Sequence, residues 1–374
     1  MKTKIRILFF TPYASRTGSE VMLWYILKHF DRTRFEIGIV SFGKGDLMKE
    51  VPEDVEAIYI PNTYSVSQKI AFHLGWNPTE KGIVRVSKQF KADLWYINTI
   101  MLPQVLVQAK KLNMPCITHV HELGHMFAYI SQKNFKDIID NSDLLIGCSD
   151  TVCQTLSDSG GRNIEKLYSF VDLNLVKSNN SSVKKIRKQL GALKNDFLWI
   201  MSGTTSERKG FDLLPDIAEK LPADGTLHLI WVGRLVDDGM VYWIRKRCEK
   251  IKNLKIHFIG AQHQEYYNYL AAADGFMMTS RQEPFGLVMV EASWLGKPIV
   301  SFKSGGPEEF ITEATGTLVE SFDIKAFVAA MENWRINISE FNKDLAQQNC
   351  LPFGTEIGMQ NWNTIIENFY ENRT

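Results

Sequence analysis

Two carboxylates eight positions apart, Glu283 and Glu291, bracket the stretch Glu283-Pro-Phe-Gly-Leu-Val-Met-Val-Glu291. Upstream, Asp274-Gly-Phe-Met-Met-Thr-Ser280 reads as a short buried strand, and Gly286 to Trp294 is apolar with helical periodicity. The loop between them therefore aims a helix N-terminus outward. The free amides and partial positive charge of such an end suit a phosphate or diphosphate. At about 1.5 Å of rise per residue the two carboxylates would stand roughly 8 to 12 Å apart, about the reach from a sugar across a diphosphate to a ribose. A carboxylate accepts two hydroxyl hydrogen bonds, so each Glu can grip one diol while the amides between them hold the phosphates. The plain alternative is an amphipathic helix with one Glu near its start and one on its solvated face.

A second loop carries cations. Ser202-Gly-Thr-Thr-Ser-Glu-Arg-Lys-Gly210 follows a strand and precedes a helix expected over Phe211 to Lys220. A Lys beside a helix N-terminus can neutralise a leaving diphosphate with no metal. Arg208 and Lys209 could equally be exposed first-turn residues. No Asp-x-Asp occurs in the chain, a pair that commonly holds a divalent ion against nucleotide-sugar phosphates, and this favours metal-independent chemistry. One metal motif does occur. His121-Glu122-Leu-Gly-His125 is a literal His-Glu-x-x-His, which in zinc peptidases sets two ligands on one helical face with the Glu as base. Cys116 to His121 reads as strand, however, and Gly124 disfavours a helix interior. His119 shares a strand face with His121 and reads either as a second polar cleft residue or, by preference, as a satisfied buried one. Gly18 opens the first helix, after the loop Thr11 to Gly18.

Glu283-x7-Glu291, followed one strand later by Gly305-Gly-Pro-Glu-Glu-Phe-Ile311, resembles the donor-site signature of retaining GT-B glycosyltransferases of the family-4 type (glycosyl transferases group 1). The resemblance implies that Glu291 binds the ribose diol. Glu283 and the backbone of Phe285, Gly286 and Leu287 would hold the sugar. Lys209 would bind the diphosphate, with Arg208 as a substitute for the basic residue this family carries where Thr204 stands here. By the same resemblance His121 faces the donor sugar, Gly18 meets the phosphates or the acceptor, and groups near Ala261 and Gln262 read the base. His121, Glu283 and Lys209 are the implied catalytic set, with no metal ligand and no cofactor. The implied activity is transfer of a hexose, with glucose from UDP-glucose the first choice, to a glycan or lipid-linked acceptor in polysaccharide biosynthesis. GDP-mannose or another UDP-hexose is the near alternative as donor. A nucleotide-sugar-binding protein without transfer activity, for which Thr204 speaks, and the zinc peptidase are the others.

These residues must be held by a scaffold that the pattern also describes. Short apolar runs alternate with helical segments from end to end, the mark of parallel-sheet α/β units. Strands are expected at Ile5–Phe10, Phe35–Ser41, Ala57–Ile60, Leu94–Asn98, Cys116–His121, Leu144–Cys148 and Lys166–Phe170. After a polar linker, Lys177 to Val183, they resume at Phe197–Met201, His228–Val232, Lys255–Ile259, Gly275–Thr279 and Pro298–Phe302. Helices are expected over Leu23–Phe30, Gln104–Leu112 and Thr151–Ser157. Two Rossmann-like, doubly wound domains facing a cleft follow, over 1–176 and 177–354; the resemblance implies that the first binds the acceptor and the second the nucleotide-sugar. The last helix, 355–374, should cross back to the first, as in the GT-B architecture.

At 374 residues and 45% hydrophobic content the chain can fill two cores. A net charge of +1 gives no global attraction to nucleic acid or to anionic lipid. The five cysteines, odd in number and set in apolar runs, read as reduced core residues of a cytoplasmic protein. The first ten residues read as a strand entering a turn, not a signal peptide, and no apolar run approaches the 18 residues of a membrane span. One basic, aromatic-bearing stretch, Tyr64 to Ala92, fits either a peripheral contact at the inner membrane face or a solvated helix over ordinary core residues. Arg245-Lys-Arg247 and Lys184-Lys185 read as exposed helix faces.

Overall fold

The computed structural model describes residues 4–61, 77–222, 224–252 and 254–373. The chain divides into two units, Met1–Phe170 with Thr355–Thr374, and Val171–Gly354.

In the first unit, seven parallel strands, β1 (Ile5–Thr11), β2 (Phe35–Ser41), β3 (Glu56–Tyr59), β4 (Leu94–Ile97), β5 (Cys116–Val120), β6 (Leu144–Gly147) and β7 (Ile164–Lys166), lie in the order β3-β2-β1-β4-β5-β6-β7. Ile7 to Phe10, Leu94 to Ile97 and Ile117 are fully or almost fully buried, as central strands covered on both faces must be. The last helix, Thr355–Glu371, belongs to this unit. Its Trp362 is fully buried, with ring centroids 5.2 Å from Phe35 and 6.2 Å from Phe9.

In the second unit, six parallel strands, β8 (Phe197–Ser202), β9 (Leu227–Val232), β10 (Lys255–Gly260), β11 (Gly275–Met278), β12 (Ile299–Phe302) and β13 (Gly316–Val319), run in the order β10-β9-β8-β11-β12-β13. Each sheet thus reverses its winding once, between β1 and β4 and between β8 and β11. At such a switch point two loops leave the carboxyl ends of adjacent strands in opposite directions, and ligands bind in the crevice they open.

Several expectations shift. The boundary falls between Phe170 and Val171, not after 176, because the Val171 amide donates to the Phe353 carbonyl at 2.9 Å and the residue bridges to Gly354. The expected linker is the start of helix Asn180–Gln189. Asn179 caps it, its side chain accepting from the Ser181 and Ser182 amides. The polar residues taken for a linker are those that favour a helix N-cap. The strand expected at Lys166–Phe170 lies instead at Ile164–Lys166, paired with Leu145 to Gly147. The helix expected from Phe211 begins as one 3₁₀ turn, Phe211–Leu213, before Leu214–Lys220. In the basic stretch, Lys69, Phe72, Leu74 and Trp76 lie outside the described residues. Its remainder forms helix Pro78–Phe90, which buries Ile83, Val86 and Phe90 and exposes Lys81, Arg85 and Lys88, the ordinary solvated pattern. Among the described residues no helix is long and apolar enough to cross a membrane. All five cysteines are free thiols; Cys153 is half-buried and the other four are buried.

Candidate active site

At the switch point of the second sheet, the loop after β8 meets the loop after β11. Gly210 makes the approach possible. It sits at φ 69°, and a Cβ there would lie 2.1 Å from the Thr279 carbonyl oxygen. The two loops are then tied strand-like. The Arg281 amide donates to the Arg208 carbonyl at 2.8 Å, the Thr279 hydroxyl to the Lys209 carbonyl at 2.8 Å, and the Arg208 guanidinium to the Gln282 carbonyl at 2.9 Å.

These ties bring together two residues 74 positions apart. Lys209 Nζ lies 2.5 Å from Glu283 Oε2, and both side chains are largely buried, 13% and 7% exposed. The Ser280 hydroxyl donates to the same carboxylate oxygen at 3.0 Å. Burial pushes the Glu283 carboxyl up, but the charges of Lys209 and Arg208, together with the hydrogen bonds from Lys209 and Ser280, more than offset it and hold the group below the usual carboxylate range. Lys209 is lowered by its burial, with Glu283 opposing that shift. At 2.5 Å the two side chains have the geometry of an ion pair, with Arg208 as a second cation acting on Glu283 and on Lys209 alike. Arg208 is half-buried and directed at the cluster by its Gln282 bond.

Glu283 is held in place from the next strand's loop: its amide donates to Ser304 O at 2.9 Å and its carbonyl accepts from Gly306 N at 2.8 Å. A Cβ on Gly306 would lie 2.3 Å from Phe285 Cα, so the Gly305-Gly306 pair lets this loop close on the Glu283 loop. Gly286, at φ 95°, turns the chain into helix Leu287–Trp294. Glu291, on the second turn of that helix, is buried. The Tyr266 hydroxyl donates to its Oε2 at 3.0 Å and the Tyr267 hydroxyl to its Oε1 at 3.1 Å. Burial raises its carboxyl to about 7 despite those two donors. Gln262 is half-buried in the loop after β10, and Ala261 beside it is exposed. Thr204 is exposed, while its neighbour Thr205 is buried and bonded to the loop after β9.

The switch point of the first sheet gathers a different set. Gly18 opens helix Gly18–His29, whose second and third residues are Ser19 and Glu20. Asn98 follows β4, and His121 and Glu122 follow β5. Asn98 Nδ2 donates to Ser19 O at 3.1 Å, and Asn98 Oδ1 lies 3.2 Å from His121 Nε2. Glu122 accepts from its neighbour's amide, His121 N, at 2.8 Å and from the Thr99 hydroxyl. Glu20 accepts from the Ser19 hydroxyl at 2.9 Å. Burial raises both carboxyls to about 7, Glu20 also feeling the charge of Glu122. Burial pushes His121 down to about 3, so its imidazole is neutral. His119 is fully buried and only half satisfied: Nδ1 meets the Tyr96 hydroxyl at 2.7 Å, whereas Nε2 is without a partner.

The two histidines of the peptidase motif do not share a helix. His121 follows strand β5, and His125 lies in a separate short helix, Gly124–Phe127, while Glu122 is engaged by Thr99. The i, i+4 placement that zinc ligation requires is not formed.

Sequence reasoning missed Tyr266, Tyr267, Ser280, Asn98 and Glu20. A Glu two positions into a helix that leaves a switch-point loop, and an Asn at the carboxyl end of a strand, were signals in reach. The tyrosines, 24 and 25 positions before Glu291, left none.

Residues 182–349 match the family described as glycosyl transferases group 1. Among curated relatives, a GDP-mannose-dependent monoacylated alpha-(1-6)-phosphatidylinositol monomannoside mannosyltransferase of Corynebacterium glutamicum is 28% identical over 219 residues, 55% of this chain and 56% of that protein. The lipopolysaccharide core biosynthesis glycosyltransferase LpsE of Rhizobium meliloti is 27% identical over 205 residues, 51% of this chain and 54% of that one. The chain thus spans about half the length of these relatives. In structure, the crystal structure of Anabaena HepE in complex with UDP-glucose superposes with a TM-score of 0.82 at 23% identity, covering 97% of this chain and 100% of that one. That likeness shows the GT-B fold.

Proposed function

For a chain whose C-terminal unit belongs to the glycosyl transferases group 1 and which carries the GT-B fold, we propose a retaining, metal-independent hexosyltransferase that uses a nucleoside-diphosphate sugar. The observation that carries this reading is the buried Lys209–Glu283 pair, with Arg208 beside it and Glu291 farther along the same loop and helix. Lys209 and Arg208 supply charge for a diphosphate, Glu283 supplies an acceptor for sugar hydroxyls, and Glu291 supplies one for a ribose diol.

In the reaction, the bond between the sugar C1 and the β-phosphate oxygen breaks while C1 bonds to the acceptor hydroxyl oxygen on the same face. The hydroxyl proton passes to the leaving phosphate oxygen. Lys209 stabilises the charge that builds there, a contribution made mainly in the transition state. No protein nucleophile is required, and the configuration at C1 is retained. His121, neutral at the other switch point, offers a hydrogen-bonding partner to a sugar hydroxyl.

UDP-glucose is the proposed donor, a choice supported by the UDP-glucose complex of HepE, and the proposed acceptor is a glycan or lipid-linked intermediate. GDP-mannose is the second reading, favoured by the GDP-mannose dependence in the name of the Corynebacterium relative. Incubation of the purified protein with UDP-glucose or GDP-mannose, in chelator, tests this directly. Release of UDP or GDP with retention of the anomeric configuration supports transfer chemistry. Binding of a donor without release would make the protein a nucleotide-sugar binder.

A further inference from the structure

Asn98 is buried, and its carboxamide spans two loops of the first unit. One end is settled by the Ser19 carbonyl, which can only accept, so the atom that meets it is the NH₂. The other end is then the oxygen, and it faces His121 Nε2 at 3.2 Å. A carboxamide oxygen also only accepts, so Nε2 carries the proton. In a neutral imidazole this leaves the lone pair on Nδ1. That nitrogen has no hydrogen-bond partner among the described residues, and it is not one of the sealed, unpartnered atoms as His119 Nε2 is. His119 does not compete for the same contacts, since its ring packs against His121 at 4.0 Å and turns its own Nδ1 to Tyr96.

We propose that Asn98 is a positioning residue that locks His121 in the Nε2–H tautomer, so that a lone pair and not an N–H is what His121 presents to a sugar hydroxyl. The same carboxamide fixes the ring to the Gly18 loop through Ser19. An Nδ1 lone pair accepts from a hydroxyl and brings no positive charge to the hydroxyl it meets. An imidazole free to interconvert would present the wrong nitrogen part of the time. Glu122 reinforces the arrangement from the backbone side by accepting from the His121 amide. The inference rests on the proposed transferase reading only in naming a sugar hydroxyl as the partner; the tautomer itself is a property of the free protein.

The test is imidazole nitrogen spectroscopy on the full chain labelled with ¹⁵N-histidine at pH 7, His121 being assigned by its loss in His121→Gln. The expected wild-type signals are a protonated Nε2 and an unprotonated Nδ1. Asn98→Ala should move both toward averaged values, lowering kcat by about tenfold, the worth of one hydrogen bond, with the donor KM unchanged. Asn98→Asp, whose carboxylate also accepts from Nε2–H, should keep the tautomer and shift the pH profile by favouring the imidazolium. A wild-type His121 protonated on Nδ1, or cationic at pH 7, overturns the proposal, as does an unaltered tautomer in Asn98→Ala. Should Asn98→Ala fail to fold, the wild-type spectrum decides alone. A correct tautomer in a protein that transfers no sugar would sink the functional reading and leave this one standing.

Discussion

The two switch points are alike in backbone and differ in charge. In the second unit, Lys209 and Glu283 are buried as a charged pair with Arg208 acting on both. In the first, Glu20 and Glu122 are buried and His121 is half-buried, each with neutral hydrogen-bonding partners, and desolvation drives each toward its uncharged form, the carboxyls to about 7 and the imidazole to about 3. The sheet decides where loops converge, and the side chains on those loops decide what can bind. A preformed cation cluster suits a diphosphate, whose charge repays the desolvation already borne by the site. A site of directional hydrogen-bonding groups with no cation among them suits hydroxyls and would gain little from an anion.

The largest expected effect comes from removing the cation on which this contrast rests. Lys209→Ala should lower turnover by about 10² to 10³, as loss of one preorganised electrostatic contact to a leaving group does elsewhere. It should also lower the unfolding midpoint, because Glu283 keeps only Ser280 and the more distant Arg208. Steady-state kinetics and a denaturant titration read both; near-normal turnover in a folded variant would mean that the loop is misassigned. Arg208→Ala tests the second cation in the same assay and should cost less, since Lys209 alone makes the direct ion pair.

Next in size is Glu291→Ala. Losing one or two hydrogen bonds to a charged acceptor, at about 1.5 to 3 kcal/mol each, should weaken donor binding tenfold or more by calorimetry. Unchanged affinity would remove Glu291 from the ribose. A smaller effect concerns pH. With Glu291 raised to about 7, its acid form predominates below that value, and the carboxylate that accepts two ribose hydroxyls forms as pH rises through it. Donor affinity should therefore fall as pH drops below about 7, by at most about tenfold per unit. Glu291→Gln should flatten that dependence. In the folded state alone the sign is reversed. A carboxyl raised above its unfolded value of 4.5 gives stability that grows as pH falls from about 7 toward 4.5, so binding and stability should trend oppositely. The smallest change is expected for Tyr266→Phe or Tyr267→Phe, each removing one neutral donor from a carboxylate that keeps the other; donor affinity should change by a few-fold.

Most of this framework was legible in the chain because buried parallel strands read as continuous apolar runs. Phe35–Ser41 appears at its expected bounds, and Leu227–Val232 within one residue. The misses have a common cause. The edge strand Ile164–Lys166 is short and largely exposed, so its position follows from pairing with β6 and not from its own residues. The helix start at Asn180, capped by Asn179, was hidden because Asn and Ser signal both a loop and a cap. At the site, the Glu283 and Lys209 loops could be found singly from their Gly and charge patterns. Their pairing across 74 positions depended on the order of strands in the sheet, which local sequence does not encode. Tyr266 and Tyr267 reach Glu291 from a different helix, Tyr266–Ala272, by packing alone.

The most direct test of the central claim, that the charged switch point is a metal-free nucleotide-sugar site, is thermal unfolding of the wild-type protein with UDP-glucose and GDP-mannose in chelator. A ligand that binds only the folded state at about 100 times its Kd adds about 2.7 kcal/mol. The account predicts a clear upward shift with one of the two donors, UDP-glucose first, undiminished by chelator and lost in Glu291→Ala. No shift with either donor, or a shift that requires added divalent metal, would contradict it.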